Sequence, residues 1–369
     1  MKILHIITHY YPQVYGAENF TQHLAEHQIK KGHEVWVLTG RLNQSWKKFE
    51  QINEVDVIRV KVNQTRYLQT ILSTRPFYQK GCELLSKHKF DRVHTHIYPG
   101  MLVGAKLAKK FDCNFLATIQ GGDIGDYRES FGSVGFIFKK IITNALSQAD
   151  QIHTVSVYLK RELIKMGINK NKITVIPNGV DAKKFKVRSS KFKNKKIIKI
   201  VSTSRLEKKN NLTQLIKLIS SLREKNYNLI LDIYGTGSLE NNLESEIKKF
   251  KLEKYIKLKG YIKQEKLAKT LFNYDVFIRL SIQEGFGISF IEAMTSGLVT
   301  IGTNIGGIVD IICDQKNGYL IDLNKDVEIQ LEKILKNKNN WPKISKQARK
   351  TVEQKFAWSK VLKQMDLIL

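Results

Sequence analysis

The chain alternates short β-branched runs with amphipathic stretches, and it does so twice. In the first half, strands are predicted at residues 3–8, 34–39, 55–60, 92–96, 115–119 and 152–155, with a helix over 17–31. Strand followed by helix, repeated, implies a parallel sheet covered on both faces. After Ile173-Thr174-Val175-Ile176-Pro177-Asn178-Gly179-Val180-Asp181 the pattern lapses into a lysine-rich stretch, residues 183–196, which reads as a linker. The alternation then restarts, with strands predicted at 197–203, 229–234, 255–258, 276–280 and 298–301 and helices at 212–225, 239–250 and 264–272. The expected architecture is α/β: two doubly wound Rossmann-like domains, residues 1–182 and 197–355. Open parallel sheets bind ligands beyond the carboxyl ends of their strands. With two such sheets facing each other, the site is expected in the cleft between them.

One segment carries most of the chemistry. Glu284-Gly285-Phe286-Gly287-Ile288-Ser289-Phe290-Ile291-Glu292 follows the predicted strand at 276–280 and opens a helix over 288–296. Gly285 and Gly287 let the backbone approach a ligand, and the unpaired N–H groups of a first helical turn, with the helix dipole, favour phosphate. The two carboxylates would repel phosphate, so they suit the hydroxyl-bearing parts of the same ligand. A diphosphate with sugar rings on both sides, a nucleotide sugar, meets both demands.

Two glutamates separated by seven residues are the signature of the retaining glycosyltransferases of family four, and this chain resembles that family through nearly its whole length. The match continues through Glu292-Ala293-Met294-Thr295-Ser296-Gly297, then Gly306-Gly307-Ile308-Val309-Asp310-Ile311-Ile312 and Asn317-Gly318-Tyr319-Leu320. The resemblance implies the two-domain GT-B fold, with a last helix, residues 356–369, crossing back to pack on the N-terminal domain. It also implies transfer of a hexose or related sugar from a UDP- or GDP-sugar to a glycan or lipid-linked acceptor, with retention and without a cofactor or metal.

Residue by residue, the resemblance assigns Arg205 and Lys209, in Ser204-Arg205-Leu206-Glu207-Lys208-Lys209-Asn210, to the charge that develops on the departing diphosphate. Glu292 is assigned to the ribose hydroxyls, Glu284 to the transferred sugar, and the N–H groups of Gly287 and Ile288 to phosphate. Gly16, in Val14-Tyr15-Gly16-Ala17-Glu18, matches the second glycine of a pair that approaches the diphosphate; Tyr15 replaces the first, which alters the acceptor side. Gly235 and Gly237, in a Gly-Thr-Gly turn, read as a loop near the nucleotide. Asn178-Gly179-Val180-Asp181 matches the family's junction motif and is given a structural role. In Thr118-Ile119-Gln120-Gly121-Gly122-Asp123 the family's histidine is replaced by Gln120, which can orient a hydroxyl but cannot transfer a proton; Gln120 and Asp123 fall on the acceptor side.

His94 and His96 lie two apart on the strand at 92–96 and so share a face. His96 matches the family's histidine that reaches the donor sugar or the acceptor, and His94 reads as packing. The pair also suits a metal on a strand, but no third ligand with convincing spacing is evident nearby, so no metal is expected.

Composition narrows the remaining classes. Lys+Arg 62 against Asp+Glu 34 gives a formal charge of +28, which fits an anionic substrate, an anionic membrane surface, nucleic acid or a compositional bias towards lysine. No nucleic-acid-binding module accompanies the charge, so nucleic acid is not an expected partner, although a basic nucleic-acid-binding protein is kept as a rival class. A GT-B epimerase or phosphorylase is the enzymatic rival. Cys82, Cys113 and Cys313 are odd in number and far apart, which suits a reducing cytoplasm better than a disulfide framework. Neither a signal peptide nor a transmembrane run is expected. Residues 67–78 and 131–140 mix aromatic and basic side chains. They suggest peripheral contact with the inner face of the plasma membrane.

Overall fold

The computed structural model describes residues 1–12, 16–62, 74–121, 135–187, 192 and 196–369. It divides into two units, Met1–Asn178 with Leu362–Leu369, and Gly179–Val361.

The first unit runs β1 (Lys2–Ile6), α1 (Gly16–Lys30), β2 (Glu34–Arg41), β3 (Phe49–Ile52), β4 (Val55–Lys61), α2 (Thr74–Lys87), β5 (Arg92–His96), α3 (Gly100–Phe111), β6 (Asn114–Ile119), α4 (Gly135–Ser147), β7 (Gln151–Thr154), α5 (Val157–Lys165) and β8 (Ile173–Val175). Its strands form one sheet in the order β3-β4-β2-β1-β5-β6-β7-β8. The β-branched runs alternate across it: Leu4, Ile6 and Leu38 pack with Phe77, Leu84, Val103 and Leu107 from α2 and α3, whereas Val35, Val37 and Val57 pack with Ala25 of α1. The sheet is parallel except at its edge, where β3 pairs antiparallel with β4. The sequence reading lacks this hairpin. Its turn is Asn53-Glu54, both at positive φ of 48° and 65°. No glycine marks it, so the usual hairpin signal is missing.

The second unit runs β9 (Ile198–Thr203), α6 (Leu212–Glu224), β10 (Leu229–Tyr234), α7 (Glu240–Lys249), β11 (Ile256–Leu258), α8 (Gln264–Leu271), β12 (Val276–Arg279), α9 (Ile288–Thr295), β13 (Val299–Thr303), α10 (Ile308–Ile311), β14 (Tyr319–Ile321), α11 (Val327–Lys336), α12 (Trp341–Lys355) and α13 (Trp358–Met365). The sheet order is β11-β10-β9-β12-β13-β14, and every pairing is parallel. Ile200, Leu231, Ile233, Ile278, Val299 and Ile301 from the strands meet Leu215 and Ile219 of α6 and Leu331 and Leu335 of α11 in one core. Within the lysine-rich stretch, Ala182–Lys184 forms a 3-10 turn, Phe185 is buried, and the Phe185 carbonyl accepts from Arg349 Nη1 at 2.9 Å. That part of the stretch therefore packs within the second unit.

Helix α13 begins in the second unit and ends in the first. In the first unit Asp366 pairs with His27 Nε2 at 2.9 Å, and Arg92 Nη1 donates to the Ile368 carbonyl at 2.7 Å. No described helix is long and apolar enough to cross a membrane, and all three cysteines are free.

Leu231 lies on β10 with no exposed surface. Leu231→Ala is expected to cost about 2–5 kcal/mol in urea denaturation, whereas Lys257→Ala, on the exposed side of β11, should stay within about 0.5 kcal/mol of the parent.

Candidate functional site

Both sheets reverse their winding direction at one seam. In the second unit the chain builds outwards from β9 to β10 and β11, then returns to the other side with β12, β13 and β14, so β9 and β12 are neighbours with their following loops side by side. Crevices at such seams receive ligands in open α/β sheets. In the first unit the same reversal lies between β1 and β5.

The loop after β9 carries Arg205 and Lys209. Glu207 holds both: Arg205 Nη1 is 3.0 Å from Glu207 Oε1, and Lys209 Nζ is 3.8 Å from Oε2. Arg205 is 57% exposed, so its head group is open to a ligand. Asn210 Nδ2 donates to the Arg205 carbonyl at 2.7 Å, and the Ile282 N–H donates to the Lys209 carbonyl at 2.8 Å. The second bond ties the cation loop to the loop that precedes Glu284. Gly235 and Gly237 support this loop from below. A Cβ on Gly235 would lie 1.8 Å from the Ser204 carbonyl oxygen, one on Gly237 would lie 2.5 Å from that of Leu206, and the Leu206 N–H donates to the Thr236 carbonyl. The Gly-Thr-Gly turn thus buttresses the Arg205 segment.

The acid loop is equally fixed. The Gly307 N–H donates to the Glu284 carbonyl at 2.9 Å. A Cβ on Gly306 or Gly307 would come within 2.2 Å of the Glu284 or Gly285 carbonyl oxygen, which is why two glycines stand there. Phe286 is buried with its ring 5.9 Å from Phe356, and Gly287, at φ +99°, caps α9, whose first residue is Ile288. Glu284 pairs with Arg279 at the end of β12 and keeps 21% of its side chain exposed. Arg279 Nη1 also donates to Ser289 Oγ at 2.8 Å.

Glu292, one turn further along α9, is buried and accepts from Gln264 Nε2 at 2.7 Å. Burial pushes its carboxyl up to about 7, while the Gln264 hydrogen bond and the charge of Arg279 pull in the opposite direction. Burial lowers Arg279 to about 10, so it stays protonated at neutral pH. The guanidinium thus hydrogen-bonds Glu284 and reaches Glu292 only through its charge. The sequence reading gave no role to Arg279, Glu207 or Gln264; for Arg279 the available signal was a single charge inside the apolar run Val276-Phe277-Ile278-Arg279-Leu280.

In the first unit, Gly16 opens α1, and Tyr15 and Asp123 lie outside the described residues. Gln120 Oε1 accepts from Asn178 Nδ2 at 3.0 Å. His96 departs from its expected place. It has no exposed surface, and it lies with His5, His94 and His153 in the sheet face that also meets Phe20 and Gln28 of α1. The hydrogen bonds fix the tautomers. His153 Nε2 donates to the Ile176 carbonyl, so its Nδ1 accepts from the Thr118 hydroxyl, which in turn accepts from His94 Nε2. His5 Nε2 donates to Gln28 Oε1 at 2.7 Å, so its Nδ1 accepts from His96 Nε2 at 2.9 Å. Burial lowers His5 and His153 to about 4 and holds His94 and His96 well below the ordinary imidazole range, so all four are neutral. The expectation that no third ligand lies near His94 and His96 is corrected. His5, opposite His94 in the β1–β5 register, brings the three ligand nitrogens within 4.8 Å of one another. Sequence spacing gave no hint of it, because strand register is set by tertiary structure. The 2.9 Å hydrogen bond already occupies the facing nitrogens of His5 and His96.

Two family models match the chain: Glycosyltransferase Family 4 over residues 14–184, and Glycosyl transferases group 1 over residues 183–351. An uncharacterised glycosyltransferase of Methanocaldococcus jannaschii is 25% identical, covering 99% of this chain and 96% of that protein. The N-acetyl-alpha-D-glucosaminyl L-malate synthase of Bacillus anthracis is 24% identical over 97% of this chain and 94% of its own length. Among solved structures, Anabaena HepE in complex with UDP and glucose superposes with a TM-score of 0.80 at 17% identity, covering 100% of this chain and 99% of that one.

The raised Glu292 carboxyl has a consequence for stability. Between about 4.5 and 7 the folded form keeps a proton that the unfolded chain has released, so this group's contribution is intact below 4.5 and is lost as pH rises through 7. Urea denaturation at pH 5 and pH 8 should therefore show the parent losing more stability with rising pH than Glu292→Gln does. Parallel profiles for the two proteins would contradict the assignment.

Proposed function

Since the chain belongs to glycosyltransferase family four and has the GT-B fold, we propose that it transfers a hexose or related sugar from a UDP- or GDP-sugar to a hydroxyl of a glycan or lipid-linked acceptor, with retention at the anomeric carbon. The observation that carries this reading is the junction of two loops at the β9–β12 seam. The Ile282–Lys209 hydrogen bond ties the loop that carries both cations to the loop that leads into a glycine-flanked helix start and two carboxylates.

Breaking the bond between a sugar and a diphosphate places negative charge on the leaving oxygen, and fixed cations and oriented N–H groups lower the energy of that charge. Arg205, Lys209 and the first turn of α9 are the groups for this task. Glu207 pairs with both cations. A diphosphate carries more charge than one carboxylate and competes for them. Glu292 takes the ribose hydroxyls and Glu284 the hydroxyls of the transferred sugar, each as a hydrogen-bond acceptor. Attack on the face that the diphosphate leaves lets the departing phosphate accept the acceptor's proton, so neither a protein base nor a metal is required. That route suits a chain whose His96 is buried and neutral and in which Gln120 replaces a histidine. HepE holds UDP and glucose in its solved structure. This favours UDP-sugars as the first donors to test.

The acceptor side rests on α4. Its first turns expose Phe136 (74%), Ile137 and Ile141 beside Lys139 and Lys140, an apolar ridge with basic flanks that suits the headgroup region of an anionic cytoplasmic leaflet. A lipid-linked acceptor of envelope polysaccharide assembly would be met there. The companion stretch at 67–73 lies outside the described residues.

A thermal-shift screen of UDP-, GDP- and ADP-sugars should find one donor that stabilises the protein by about 2.7 kcal/mol at 100 times its dissociation constant. Arg205→Ala should then lower turnover about 10²- to 10³-fold, with little change in donor affinity, whereas Glu292→Ala weakens binding. Parent-like turnover in Arg205→Ala would remove it from the leaving-group role, and donor consumption without an acceptor would point to epimerisation or hydrolysis. In flotation, the protein should rise with vesicles containing anionic lipid and less so after Phe136→Ser with Lys139→Glu; equal recovery with neutral vesicles would overturn the membrane reading.

A further inference from the structure

Arg279 is a charge where the fold asks for a hydrophobe. It ends β12 between Ile278 and Leu280, both fully buried, and is itself only 6% exposed. Burying a guanidinium is costly unless it is paired, so the partners of its two terminal nitrogens define its task; its Nε is buried without a partner among the described residues. Nη2 pairs with Glu284, Nη1 donates to Ser289 Oγ at 2.8 Å, and the guanidinium carbon lies 4.7 Å over the Phe290 ring. Each partner belongs to the acid loop or the first turn of α9. Gly287 makes the approach possible, since a Cβ there would lie 3.3 Å from Arg279 Nη2 and 2.6 Å from the Phe290 ring.

These contacts divide the Glu284 carboxylate. Oε2 is taken by Arg279, while Oε1 has only a long 3.4 Å approach from the Phe286 N–H among the described residues. Glu292, by contrast, takes its hydrogen bond from Gln264, so the nucleotide end of the motif is oriented without Arg279. Nη2 alone holds Oε2, but that donor is itself fixed, because Nη1 is held by Ser289 Oγ and the guanidinium lies over Phe290.

We propose that Arg279 is a positioning residue that holds Glu284 by one oxygen and presents the other in a single orientation to the hydroxyls of the transferred sugar, so that recognition of the sugar, and not of the nucleotide, depends on it. The proposal rests on the reading of this loop as a sugar-nucleotide site. Arg279→Lys would keep the positive charge near Glu292 but lose the two fixed donors that meet Glu284 and Ser289.

The test uses the full chain and three ligand pairs, UDP with UDP-glucose, UDP with UDP-N-acetylglucosamine, and GDP with GDP-mannose, with dissociation constants measured by calorimetry for parent and variants. For a pair that the parent binds, Arg279→Lys should leave the nucleoside diphosphate constant within about threefold and weaken the sugar nucleotide about 10- to 100-fold, the range for losing an oriented hydrogen bond to a charged group. Ser289→Ala, which removes one clamp and leaves the buried charge paired, should shift the sugar nucleotide in the same direction by less. In a Glu284→Gln background, Arg279→Lys should add no further loss. Equal weakening of nucleotide and sugar nucleotide, or losses that multiply in the double variant, would overturn the proposal. A parent that binds none of the three pairs would overturn the donor-site reading, and this proposal with it.

Discussion

The hydrogen bond from the Ile282 N–H to the Lys209 carbonyl joins the two loops on which the proposed chemistry depends. It exists because β9 and β12 are parallel neighbours despite the intervening β10 and β11. A parallel sheet that winds outwards and then returns must leave one seam where two loops diverge, and ligand chemistry collects there. The side chains at this seam are arranged by charge. Glu207 gathers Arg205 and Lys209 on one side; Arg279 gathers Glu284 and influences Glu292 on the other.

Burial makes the two carboxylates of the acid loop unequal. Glu284 is partly exposed and paired with a buried cation, whereas Glu292 is buried and depends chiefly on an amide, so its proton is held to about 7. Such asymmetry suits a ligand with chemically different ends. Under the proposed role, hydroxyls that donate to ionised Glu292 would stabilise the form that burial disfavours and so link ligand binding to proton release at this residue. The four neutral histidines of the first unit show the opposite use of burial. They are linked in two hydrogen-bonded runs, from Gln28 through His5 to His96 and from His94 through Thr118 to His153. They contribute shape and rigidity beneath α1.

Much of the architecture was legible because β-branched runs and helical periodicity dominate it. The strand at 92–96 and the strand at 229–234 coincide with β5 and β10, and no other strand boundary differs by more than two residues. The features that escaped are short or non-local. The β3–β4 hairpin turns without glycine, β14 has three residues, and His5 meets His94 only through register. In the site, the glycines and glutamates were readable from their spacing, but their supports were not. Gly306 and Gly307 were part of a pattern whose reason appears only when the Glu284 and Gly285 carbonyls are seen against them. Arg279 stood in plain view as a charge in a buried strand, and only its contacts reveal why it is tolerated there.

The most direct test of the account is a crystal structure of the protein with a nucleoside diphosphate bound. The account predicts the diphosphate against the first turn of α9, with Arg205 and Lys209 released from Glu207 to meet it and the ribose hydroxyls on Glu292. A nucleotide bound away from the β9–β12 seam, or Arg205 and Lys209 still paired with Glu207 while the ribose avoids Glu292, would contradict it.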